Sequence, residues 1–121
     1  MVDKKVKDAL DKVRAGAQEL HRAISDAAAK QGGATKADLE TVPLKAKAVT
    51  DSIKGSIAVQ TEAARKHLKQ AATYVESVQK HIAEGLKRTG REVQTSVRRA
   101  LADARASVQE ASEAVAAGRS A

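Results

Sequence analysis

The chain has 121 residues with 22 basic and 15 acidic side chains, a formal net charge of +7 that favours anionic partners. Without Phe, Trp or Cys, and with a lone Tyr74, one proline and seven glycines, it excludes a disulfide scaffold, a thiolate zinc site, a base-stacking platform and a turn-rich β-sandwich. What remains is an all-α chain forming one unit, its core thin because Leu, Ile and Val number 23 beside 26 Ala.

The first predicted element is a helix over residues 3–30. Its apolar positions Val6, Leu10, Val13, Ala17, Leu20, Ile24 and Ala27 alternate steps of four and three, a 3.5-residue repeat that keeps one seam towards a partner helix. Val6, Leu10, Val13, Leu20 and Ile24 are the candidate helix–helix seam. Asp3 reads as its N-cap, and Gln31-Gly32-Gly33 as its stop, opening a glycine linker over 31–34. Thr35 and Asp38 then resemble a capping sequence for a short turn over 35–42. Pro43 admits two readings, the first turn of the next helix or a kink in one begun at Thr35, and the first keeps every hydrogen bond.

From Val42 a longer period takes over. Val42, Ile53, Ala64, Val75, Leu86, Val97 and Val108 recur every eleven residues. A second line runs through Val49, Gln60, Ala71, Ile82, Val93, Ala104 and Val115, in which only Gln60 is polar. Eleven residues make three helical turns, so both lines hold one face, widened by Ile57, Leu68 and Leu101. This predicts a long helix over 43–88, a break at Thr89-Gly90 after Lys87-Arg88, and a further helix over 91–117 with a frayed tail at 118–121. The unbroken phase through Gly90 keeps a single continuous helix open as the alternative. The expected architecture is a helical hairpin or three-helix bundle, coiled-coil-like and homo-oligomeric.

On that face Ile53, Leu68, Val75, Ile82, Leu86, Val97 and Val108 form a candidate apolar surface stripe. Lys69, Lys80 and Arg91 lie eleven apart, and Arg65, Lys87 and Arg98 share a second line at multiples of eleven. On one continuous helix both lines sit on the same flank of the stripe, where long basic side chains can meet an anionic surface. Lys69, Lys80, Lys87, Arg91 and Arg98 are therefore the candidate anionic-surface contacts. The bland reading of the same rows is solvated helix charge making i,i+4 pairs.

Chemistry is sparse. His67 and His81 stand roughly 21 Å apart along one helix and cannot share a metal; His81 beside Glu84 reads as a surface histidine near a carboxylate. No nucleophile has a base placed by motif, and Gly32–Lys36 lacks phosphate-loop spacing. The expectation is no enzyme, no cofactor, no metal and no small-molecule substrate. No stretch of the sequence reads as a membrane span or secretory signal, so the default compartment is cytoplasmic. Nucleic-acid binding fits only the sign of the charge and ranks third.

The Ala-rich composition and eleven-residue period over Val42–Ala117 resemble a loose class of surface-active helical proteins: phasins that coat storage granules, group 3 late-embryogenesis-abundant proteins and exchangeable apolipoproteins. The resemblance implies a coat or scaffold on an apolar or anionic surface such as a granule or membrane. It transfers no functional residue. The competing expectation is a coiled-coil adaptor for a protein partner.

Overall fold

A computed structural model of the chain describes residues 4–30, 36–88 and 90–120, with the side chains of 119 and 120 not described. The Asp3 cap, the 31–34 linker and the Thr35 cap lie outside the described residues. All described elements are helices: α1 (Lys4–Ala28), α2 (Lys36–Glu40), α3 (Val42–Ile57), α4 (Glu62–Leu86) and α5 (Arg91–Ser120). The four longer ones pack against one another in a ring, α1 against α3 and α5, and α4 against α3 and α5. The α4–α5 pair is the most extensive.

The long 43–88 helix of the sequence reading is two helices. Its break runs from Ala58 to Thr61, where α3 tightens through Val59 N–H to Ser56 O at 3.1 Å. Thr61 then leaves helical space (φ −64°, ψ 161°), and its side chain accepts from the Ala64 N–H, capping α4. Arg65 closes the turn from the other side, donating through Nε to Gln60 O at 2.9 Å. This guanidinium, grouped with Lys87 and Arg98 by sequence, caps the end of α3 with Nη2 also 3.4 Å from Ala58 O. The periodicity gave no warning because each helix faces the same core, so the phase survives the turn.

The second break falls at Gly90. Its φ of +66° lies in the left-handed region, which costs glycine nothing and any L-residue about 1 kcal/mol or more. Glu92 in the first turn of α5 then accepts from Arg88 at 3.2 Å. Pro43 sits in the first turn of α3, where its missing N–H has no helical partner to lose.

Both eleven-residue lines turn towards the core, with Leu86, Val93 and Val108 partly buried at its edge. Val42, Ala64, Val75, Val97, Ile82 and Ala104 are each 0% exposed, and Ile53 is 2%. The α1 seam lies there too, with Leu10, Val13, Ala17, Leu20, Ile24 and Ala27 buried against the chain's own helices and Val6 half-buried. Two ends of the chain meet where Gly118 of α5 packs on Leu10 of α1. A Cβ at 118 would lie 2.5 Å from Leu10 Cδ1. The expected frayed tail is thus helix through Ser120, because the glycine brings α5 close enough to be buried there.

Candidate functional site

The apolar stripe read as a surface is core. Ile53, Leu68, Val75, Ile82 and Val97 are buried, and Leu86 and Val108 pack against them from the edge. Folding an extended amphipathic chain back on itself lets its own helices serve as the apolar partner, at about 1.5–3 kcal/mol for each large side chain covered. Among the described residues, the large apolar side chains left exposed are the isolated Leu44 and Val59.

The basic candidates are all exposed: Lys69, Lys80 and Lys87 on or just beyond α4, and Arg91 and Arg98 on α5. They do not form one row. Their shared flank required one continuous helix, and the Gly90 turn places Arg91 and Arg98 on the neighbouring antiparallel helix instead. At 100° per residue, Arg91 and Arg98 lie about 120–140° around α5 from Asp103, which faces α4. Lysines therefore occupy the outside of α4, while these arginines occupy the flank of α5 away from it. A carboxylate-bearing seam lies between the two groups.

That seam is the most chemically loaded part of the molecule. His67 Nδ1 donates to Glu110 Oε2 at 2.8 Å and lies 3.2 Å from Glu113 Oε2. Facing a carboxylate, Nδ1 must carry the proton, since two lone pairs would otherwise oppose each other. The Gln70 amide, with nitrogen turned to Glu110, donates to both of its carboxylate oxygens at 3.0 and 3.1 Å; the opposite assignment sets oxygen against oxygen. One level along, Ser77 Oγ donates to Asp103 Oδ2 at 2.6 Å, and His81 Nε2 lies 3.4 Å from the same oxygen. His81 Nδ1 is buried without a hydrogen bond, Glu84 standing too far at 3.8 Å. His81 is thus a partly buried interhelical residue, where sequence placed it on the surface beside Glu84.

Comparison with known proteins finds no matching family, no similar curated protein and no similar solved structure. The site has to be read from its own geometry.

Sequence reasoning missed the pairing of His67 with Glu110 and Glu113. The partners are 43 and 46 positions apart, on helices whose register is set by the Gly90 turn. The available signal was the i,i+3 spacing of Glu110 and Glu113, which puts both carboxylates on neighbouring turns of one face.

The grooves between helices are open and charged. One between α1 and α3 is lined by Glu19, Arg22, Asp26 and Lys45. There Lys45 Nζ donates to Glu19 Oε1 at 2.7 Å, and this hydrogen bond and charge hold the Glu19 carboxyl below the usual carboxylate range. Among the described residues no helix is long and apolar enough to cross a membrane.

Proposed function

We propose that the chain is a non-enzymatic coat or scaffold protein of the cytoplasm that folds before it binds and meets an anionic surface through exterior charge. The observation that carries this reading is a division of labour. Its apolar stripe is committed to its own core, while Lys69, Lys80, Lys87, Arg91 and Arg98 are exposed on two separate outer faces. With its apolar residues inside, a folded chain of net charge +7 has electrostatics as its means of attachment. Two basic faces on one body suit bridging between anionic surfaces, the property a coat or scaffold needs.

Flotation with anionic phospholipid vesicles at low and high salt tests this, alongside helicity measured without lipid. The expected result is full helicity in buffer alone, flotation at low salt, and release at high salt as charges are screened. Replacing Lys69, Lys80 and Lys87 together by Gln should weaken binding without altering helicity. Absence of flotation at low salt would overturn the reading. Helicity that rises only with lipid, with binding that resists salt, would instead favour helices that open onto an apolar surface.

The protein-partner adaptor shares the preformed core and is favoured by the same burial of Val75, Ile82 and Val97. It differs in expecting no flotation at either salt.

A further inference from the structure

We propose that His67, Glu110 and Glu113 constitute a divalent transition-metal site that ties α4 to α5, with Zn2+ the best-matched ion. One ligand atom from each residue, an imidazole nitrogen and two carboxylate oxygens, lies within 4.8 Å of the others. The imidazole nitrogen stands 2.8 Å from the Glu110 oxygen and 3.2 Å from that of Glu113. Zinc bonds of about 2.0–2.1 Å to nitrogen and oxygen set ligand–ligand edges of roughly 3.3 Å in a tetrahedron. The ion therefore needs these two pairs to separate by up to about half an ångström, and the two carboxylate oxygens, within 4.8 Å of each other, to settle at the same edge, which side-chain rotation can supply.

Charge points the same way. Two carboxylates one turn apart converge on an imidazole that is cationic only when protonated. A divalent ion neutralises both at once and takes the place of the Nδ1 proton, the neutral ring then carrying its single proton on Nε2; only the imidazolium form gives up a proton to solvent on binding. Glu110 is already oriented by the Gln70 amide, the kind of outer hydrogen bond that fixes a ligating carboxylate. Access is open, since the side chains of His67 and Glu113 are 30% and 46% exposed, leaving a fourth position for water. The imidazole sets the selectivity: nitrogen suits zinc and its neighbours, whereas magnesium and calcium take oxygen ligands. The consequence is a clamp across the most extensive helix pair of the fold, tightening the scaffold when zinc is present.

The test titrates ZnCl2 into the full chain, following the 15N shift of His67 Nδ1 and the melting temperature. The expected outcome is a metal-induced shift at His67 Nδ1, distinct from His21 and His81, and a rise in Tm of about 10 °C at a hundredfold excess over Kd. MgCl2 should produce neither change. Glu113→Gln alters a half-exposed side chain, so the fold should persist while zinc affinity falls at least about tenfold. Glu110→Gln and His67→Gln should do the same. The proposal is overturned if zinc leaves His67 Nδ1 unmoved, or if Glu113→Gln and Glu110→Gln bind as tightly as the unaltered chain. Either result would make the cluster an interhelical ion pair alone.

Discussion

Gln60, in the turn between α3 and α4, donates from Nε2 to the backbone carbonyl of Val6 in α1 at 3.1 Å. It is 3% exposed, so this amide ties a loop to the start of the chain inside the protein rather than at its surface. Its Oε1 is buried without a partner, which makes the contact costly as well as specific. Gln60→Ala should lower stability by about 1–3 kcal/mol through the lost bond and the space left behind. Gln60→Leu fills the space and removes the orphaned oxygen, so its loss should be the smaller. Chemical denaturation of both variants checks the order; no loss in either would deny the contact a structural role, and a larger loss for Gln60→Leu would overturn the predicted order.

The same residue marks where the sequence was and was not legible. Helical class, the α1 seam and the positions that become core all follow from spacing, because burial imposes the 3.5- and 3.67-residue periods whatever the partner is. The Gly90 turn and the Pro43 start are legible because each carries a residue with a conformational constraint of its own. The turn at Ala58–Thr61 contains neither glycine nor proline, and its one polar break in the apolar line, Gln60, reads equally as a tolerated exception. Periodicity identifies a buried face but not what buries it, so a core stripe and a surface stripe look alike in sequence. The His67 cluster is legible only in part: the i,i+3 spacing puts Glu110 and Glu113 on one face, but their meeting with His67 depends on how two antiparallel helices register, which no local pattern encodes.

Two glycines should respond in opposite directions. Gly55 lies in α3 with nothing within 4 Å of where a Cβ would sit, so Gly55→Ala should add about 0.5–1 kcal/mol through helix propensity alone. Gly90→Ala meets no steric neighbour either, yet its φ of +66° should make the change destabilising by about 1 kcal/mol or more. Thermal melts of the two variants separate backbone strain from packing. A Gly90→Ala protein as stable as the parent would mean that the turn does not require the left-handed conformation.

The Glu19–Lys45 contact between α1 and α3 should be visible in a titration. Because Lys45 favours the charged carboxylate, Glu19 releases its proton at a lower pH in the folded chain than in the unfolded one. Its stabilising contribution is therefore present above the unfolded value and disappears as pH falls through the folded one. Side-chain 13C shifts of Glu19 should place its midpoint below the ordinary glutamate range, and Lys45→Met should return it there. A midpoint unmoved by Lys45→Met would show that the contact is not maintained in solution. At this exposed position the effect should also shrink with added salt.

The strongest single test of a preformed core is Ile82, fully buried in the middle of the second eleven-residue line. If α4 packs in solution as described, Ile82→Ala removes buried methyl and methylene groups from a site surrounded by neighbouring helices. The cost should be about 2–5 kcal/mol, large enough to lower the melting temperature by on the order of 10 °C or to unfold the chain outright. Lys80→Ala, two residues away and exposed, should leave the melt within about 0.5 kcal/mol of the parent. The contrast matters more than either value. A chain that orders only on a surface would give a shallow, low-helicity melt in buffer, and both substitutions would change it little. A cooperative melt that Ile82→Ala damages and Lys80→Ala spares would require the stripe to be core before any surface or partner arrives.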